Sequence, residues 1–454
     1  MSSIIQKIKN LEFYIPLIIG VYLLFAFRFN VFALPMSYSE IDFFSEYMKL
    51  ADDGSLQLFS DRIPNIPILS YFLIFKIFGA NITVVRITAA VFSIVLVFIV
   101  LKFGIFFFGK QAGIFAATIL IVQNIYLAQF ATIQPEVLNA IFLLSALYCF
   151  LREKYRTMAI WLTLSVNIDI SGLLAILFMI VAFLVKLNNN QKSQSIVFFI
   201  IPLVAYATAE TANYVAFEHL GILQNIGFEQ FDKNIINNAN FAFLAQQRMT
   251  LTLILIISIL AAALQRQIEK YEVKTYIYIT VFMLLIATVH ALVNSDLCKM
   301  FPVVVLLAVA TGAAISEIKM LYVYKYIIIS VLILFFAVFD ARSKNTSCEY
   351  ISHTHQVETD WKATKFIQEK MSQNDTLICS NLFYKILSNK YLGYITENNI
   401  NIDTIYSATK YSYVIKGKEP SPKNVSAVII DEKCMLEKSF TKKEAETEIY
   451  SVEK

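Results

Sequence analysis

Between residues 11 and 339 the chain is a succession of apolar runs longer than about 18 residues, parted by short polar stretches. A run of that length with few charges is a membrane-spanning helix, and a series of them excludes a soluble enzyme, a disordered chain and a secreted disulfide scaffold. The pattern predicts eleven spans. They fall at about 11–33, 84–106 and 112–130, a fourth ending at Arg152, a hairpin at 157–170 and 172–187, and a seventh at 195–217. An eighth runs from Arg248 to Arg266, two more flank residues 294–299, and the last covers about 321–339. The apolar run at 66–78 is too short to span and suits a helix lying on the membrane surface.

From Asp340 onward the apolar blocks give way to mixed polar sequence, which predicts a separate α/β domain over 340–454 beside a membrane domain over 1–339. Within it, residues 358–372 read as an amphipathic helix, and Thr376–Cys379 and Ala427–Ile430 as short buried strands. The Lys/Glu-rich end after Lys438 reads as a compositionally biased segment.

Composition sharpens this picture: 57% of residues are hydrophobic and 16% charged, against roughly a quarter charged in soluble domains. The net charge of +4 is spread along the chain, so no nucleic-acid surface is expected and the charges serve as orientation markers. Lys7 and Lys9 place the N-terminus in the cytoplasm, and Arg152, Lys154, Arg156, Lys186, Lys270 and Lys319 fall on the same side. The longer non-membrane segments, 34–82, 218–247 and 340–454, then share the outer face with the short loops 131–136 and 294–299. Such a protein is multi-pass, in a plasma or inner membrane, with its functional groups outside. The first run lacks a cleavage site behind it and is expected to be retained. Five cysteines make no framework, although two of Cys348, Cys379 and Cys434 could pair outside. His353 and His355 have metal-ligand spacing but no further ligand cluster, so no metal site is expected.

The candidate chemistry is carried by charges on that outer face. Glu40 and Asp42 follow the first span, and this spacing lets both meet one reacting group only in a strand or turn. Glu136 begins the fourth span, where the helix dipole favours an acid. Together the three acids offer a general base and a partner for sugar hydroxyls; each alone is equally an ordinary loop or helix-start acid. Arg62, Lys76, Arg86, Arg248 and Lys299 lie at or near the outer surface against the usual bias, either snorkelling to headgroups or gripping a phosphate. Asp169, beside Asn167 and Ser171 in the short hairpin, is an acid near membrane depth or exposed at the outer turn.

The order of these features resembles the multi-spanning glycosyltransferases of the GT-C type, in the branch of protein O-mannosyltransferases and bacterial lipid A aminoarabinose transferases. An acidic pair after the first span is matched by Glu40-Ile41-Asp42, followed by Tyr47-Met48 and Gly54. A proline-marked surface helix ending in Phe-Gly, with an arginine beyond, is similar to Pro64 and Pro67, Phe78-Gly79 and Arg86. Glu136 with Leu143-Leu144-Ser145-Ala146-Leu147-Tyr148 and Arg152 matches the next block, and Lys299-Met300-Phe301-Pro302 the last. The sequence departs from the family at the split prolines and at Ser171-Gly172, which replaces a lysine-glycine.

The resemblance implies a transferase moving a sugar from a polyprenyl-phosphate donor to a hydroxyl of a lipid, glycan or protein acceptor, with inversion, at the membrane lipid surface. Glu40 or Asp42 would be the base, Glu136 would bind acceptor or sugar, and Arg62, Arg86, Asp169, Arg248 and Lys299 would bind substrate. No cofactor is required, and a divalent cation bridging acids and phosphate is compatible with the chemistry. A lipid-linked sugar transporter and a non-catalytic envelope scaffold are the competing readings of the same charges.

Overall fold

The computed structural model describes residues 65–79, 81–186, 193–217, 270–292, 297–317 and 354–372, together with the tail strands and single positions among 17–47, 331, 375 and 387. Two compact units emerge. The first comprises Met1–Val31, Leu56–Ile74 and Val85–Cys348; the second joins Phe32–Ser55 and Phe75–Val84 to Glu349–Lys454.

The described part of the first unit is helical. After α1 (Asn65–Phe78) come α2 (Ile82–Phe108), α3 (Lys110–Val122), α4 (Asn124–Gln129) and α5 (Pro135–Leu151). They are followed by α6 (Tyr155–Val166), α7 (Ile170–Lys186), α8 (Ser193–Phe217), α9 (Lys270–Leu292) and α10 (Phe301–Glu317). At 27 residues, α2 is about 40 Å long, more than the bilayer core. Its Ile87, Val91, Ile94 and Phe98 recur at helical spacing and stay exposed, an apolar stripe that suits lipid. Among the described residues, α2 and Ser195–Ala212 of α8 are long and apolar enough to cross a membrane, and α5, α7 and α10 are shorter apolar helices. The eleven spans expected from the sequence are therefore met only in part by what is described. One expected span is broken: the run at 112–130 bends at Gln123, whose backbone is extended, and splits into α3 and α4.

Where helices touch, small residues let backbones approach. A side chain at Gly312 of α10 would collide with the Ala112 and Ala116 backbone of α3, and one at Gly172 of α7 with the Val166 backbone at the end of α6. The far end of the bundle, opposite the starts of α2 and α5, is basic and aromatic. Arg152 stacks over Phe106 at 4.4 Å and donates to the Tyr148 hydroxyl at 3.0 Å, tying the end of α5 to α2. Nearby, Phe150, Tyr155, Phe183 and Phe199 interlock α5, α6, α7 and α8. The basic loop that the charge rule marks as one face is thus also a packing joint.

In the second unit, α11 (Thr354–Lys370) covers a five-stranded sheet in the order β2-β1-β3-β5-β4. Leu377–Cys379 (β1) pairs in parallel with Ile400–Ile402 (β2) and Tyr413–Gly417 (β3), while Cys434–Lys442 (β4) and Ala445–Val452 (β5) form an antiparallel hairpin against β3. Ala363 and Ile367 of the helix close on Leu377, Cys379, Ile415 and Ile449 of the sheet. The α11 helix and β1 agree with the sequence expectation, and Ala427–Ile430 lies outside the described residues. The biased end after Lys438 is a correction: it completes the hairpin, because Thr447 and Ile449 alternate inward between exposed or half-buried glutamates. Under it, the Thr447 hydroxyl donates to a carboxylate oxygen of Asp360 at 2.5 Å and accepts from the Thr359 hydroxyl at 3.0 Å, so this buried acid is held by a hydrogen bond. Asn81 caps the start of α2 by accepting from the Val84 N–H at 2.8 Å.

Cys379 is a free thiol on β1, so it takes no part in the expected pairing. Burial pushes it up to about 12. The thiolate is the reactive form. At pH 8 the folded protein should therefore leave Cys379 unmodified by a maleimide that labels it fully in denaturant, as read by peptide mass spectrometry. Rapid labelling of the native protein would contradict this packing.

Candidate active site

Four helix starts converge at one end of the first unit. The beginnings of α2 and α5 are tied by Arg86, those of α5 and α7 by Asn139, and α4 meets the start of α10 where Tyr126 stacks on Phe301. Each start carries N–H groups without an intrahelical partner and the positive end of a helix dipole, so this end of the bundle is favourable to an anion. Several of the bundle's buried polar side chains lie here: Arg86, Gln123, Gln129, Thr132, Gln134 and Asn139.

Arg86 lies only one turn into α2 and is 2% exposed. Its Nη1 donates to the Ala131 carbonyl at 2.9 Å. Ala131 has φ of 60°, a left-handed conformation that costs an alanine roughly 1–2 kcal/mol. The turn is further fixed by Thr132, whose hydroxyl donates to the Gln129 carbonyl at 2.8 Å. These contacts hold the loop that leads through Gln134 and Pro135 to Glu136 in the first turn of α5. Proline at the first helical position costs no hydrogen bond there, and the acid follows where the dipole favours it.

Asp169 caps α7. One of its carboxylate oxygens accepts from the Ser171 backbone N–H at 3.1 Å and from the Ser171 hydroxyl at 2.7 Å. Ser171 accepts from the Asn139 amide at 2.7 Å, and Asn139 in turn accepts from Ser165 at 2.7 Å. The chain of bonds joins α5, α6 and α7 at the hairpin where Gly172 makes its close approach. At this carboxylate oxygen, then, Asp169 serves the architecture of the site.

Lys299 is half-buried in the 3-10 turn Leu297–Met300 that opens into α10. Behind it, Phe301 is fully buried against Tyr126, whose hydroxyl donates to the Ser93 carbonyl at 3.1 Å. A rigid aromatic base thus supports the lysine's turn.

Glu40 belongs to the second unit and is 1% exposed. The described positions around it, Ile41, Phe43, Phe44 and Tyr47, are helical as Glu40 is. That differs from the strand or turn in which Glu40 and Asp42 could share a face, because apolar Ile41, Phe44 and Tyr47 bury a helical side. Phe44 also meets Phe75 edge-on at 6.0 Å. Asp42, Arg62 and Arg248 lie outside the described residues, as does His353. Among the described residues, no group of three His, Cys, Asp or Glu side chains is placed to hold a metal.

Sequence reasoning missed two polar residues. Gln134 is 5% exposed, and its amide oxygen has no hydrogen-bond partner among the described residues. Its place just before the proline and the acid was visible, but its burial was not. Glu210, 7% exposed on α8, was passed over inside an apolar run although an acid at membrane depth is a functional candidate by default.

Residues 67–163, a stretch containing both Arg86 and Glu136, match the family described as dolichyl-phosphate-mannose-protein mannosyltransferase. In fold, the chain is similar to ArnT from Cupriavidus metallidurans bound to undecaprenyl phosphate, with a TM-score of 0.54, 10% identity, and coverage of 80% of this chain and 82% of that one. Against the apo state of the same ArnT, the TM-score is 0.53 and the identity 12%, with the same coverage of both chains. The apo oligosaccharyltransferase of Archaeoglobus fulgidus gives a TM-score of 0.49 at 10% identity, over 82% of this chain and 63% of that one. No curated protein matches the chain. The resemblance to GT-C glycosyltransferases, in the O-mannosyltransferase and ArnT branch, is borne out by the family match and the fold.

Removing Arg86 strands the Ala131 carbonyl and the strained turn it supports. Arg86→Met is expected to lower stability by about 1.5–3 kcal/mol, the usual worth of a hydrogen bond to a charged group. Thermal unfolding in micelles reads this as a lower melting temperature, and an unchanged or raised one would show that Arg86 does not hold the loop.

Proposed function

We infer that this chain, a GT-C-type membrane protein, is a glycosyltransferase that takes a sugar from a polyprenyl-phosphate donor and passes it, with inversion, to an acceptor hydroxyl. The carrying observation is the loop pinned by the bond from Arg86 to the Ala131 carbonyl, which presents Glu136 at a helix start inside the stretch matched by the mannosyltransferase family. The bound undecaprenyl phosphate of the ArnT whose fold this chain shares supports a lipid-phosphate donor.

In the proposed reaction the Glu40 carboxylate takes the acceptor's hydroxyl proton as that oxygen attacks the anomeric carbon. The bond from that carbon to the phosphate oxygen breaks on the opposite side, inverting the configuration and releasing polyprenyl phosphate. Asp42 is the alternative base. Glu40 is buried, and a carboxylate shielded from water acts at short range without competing solvent. Glu136 would accept hydrogen bonds from sugar or acceptor hydroxyls. Lys299, with Arg248 and Arg62, would offset the charge growing on the departing phosphate, aided by the converging helix starts. Arg86 and Asp169 would support substrate binding through the loop and the hairpin they hold. The reaction as written consumes no cofactor, and a divalent cation between acids and phosphate is compatible with it. We place the N-terminus in the cytoplasm and the tail domain outside, on the distribution of lysines and arginines.

Glu40→Gln, which keeps size and removes the base, is expected to cut transfer by about 10²–10⁴-fold in nanodiscs supplied with polyprenyl-phosphate sugars. Lys299→Met should lower the rate as well, while both variants still bind the lipid. Full turnover by Glu40→Gln would remove Glu40 from the mechanism.

A further inference from the structure

We propose that Trp361 is a positioning residue for Glu40, and that through it the soluble tail sets the geometry of the general base; the proposal rests on the transferase function above. The indole Nε1 of Trp361 donates to the Met36 carbonyl at 3.1 Å, joining positions 325 residues apart in sequence. Both ends of this bond lie in the second unit, as does Glu40.

Met36 is fully buried, is not helical and stands four residues before the helical Glu40. Its carbonyl therefore stands close to the acid along the chain, and fixing it limits how far the acid's segment can shift. On the other side, Trp361 sits on α11 between Asp360 and Ala363, which are anchored below it. Asp360 is held by Thr447, and Ala363 is buried in the core of the sheet. The donor is thus mounted on the most tightly packed face of the tail. The acid's own segment is packed too: Ile41, Phe44 and Tyr47 have no exposed surface, and Phe44 leans on Phe75. What the apolar contacts leave free is a slide or rotation of the segment, and a directional hydrogen bond to the Met36 carbonyl restrains that.

A misplaced base loses rate without loss of substrate binding, since small errors in alignment raise the barrier of the chemical step. Trp361→Phe keeps the ring and deletes the N–H. In nanodiscs it is expected to lower kcat about tenfold, with the donor KM unchanged within about twofold. Hydrogen–deuterium exchange supplies a readout independent of turnover: peptides covering 36–47 should exchange faster in the variant, and those covering β3 and β5 should not. If the sheet peptides also accelerate, the tail has been disturbed, and Trp361→Tyr, which lacks the same donor, is measured by the same criteria.

Unchanged exchange at 36–47 overturns the proposal, and so does faster exchange there with kcat unchanged or raised. If the intact protein turns over no donor, the transferase function itself fails. The exchange comparison then still decides whether Trp361 holds the segment.

Discussion

Hydrocarbon offers no hydrogen bonds, so a membrane bundle must keep its polar side chains where they can be paired, and a cluster of them is held at one end of this one. Arg86 is the plainest case. A guanidinium buried one turn into an apolar helix is tolerated because it reaches a backbone carbonyl, and that carbonyl belongs to a turn that is itself strained at Ala131. One bond thus serves both the buried guanidinium and the strained turn. The helix that follows this turn begins with proline and then an acid, so the position of Glu136 depends on it.

The same economy runs through the rest of that end. Asp169 pairs with Ser171, Ser171 with Asn139, and Asn139 with Ser165, so a buried polar network locks three helix ends without leaving an amide of the network unused. Four helix starts pointing one way supply positive potential from backbone alone, to which Lys299 adds a full positive charge. The opposite end is built of stacked rings and Arg152, which makes it a packing joint.

Much of this was legible in the chain. Long apolar runs place α2, α7 and α8 within a few residues of where they lie, and the amphipathic stretch near Trp361 marks α11. The short run at 66–78 emerges as α1, with Tyr71 and Phe75 buried and Leu73 and Ile77 exposed. Other features carried no local signal. The hairpin of β4 and β5 is hidden by its lysines and glutamates, whose charge masks the alternation of Thr447 and Ile449. The break at Gln123 lies within an apolar run that looks continuous. Which acid faces its neighbours depends on whether the backbone is helical, and residue spacing does not decide that. The bond from Trp361 to Met36 joins the two ends of the chain, which no pattern within either end reveals.

The account depends most on the claim that the protein breaks the bond between a sugar and a lipid phosphate. The direct measurement incubates the purified protein in nanodiscs with a panel of polyprenyl-phosphate sugars and hydroxyl acceptors, then follows released polyprenyl phosphate and the anomeric configuration of the product by NMR. The account predicts stoichiometric release of the lipid phosphate and a glycoside of inverted configuration. Binding of the lipid without release across the panel, or movement of the intact lipid-linked sugar between leaflets, would contradict it and identify a carrier.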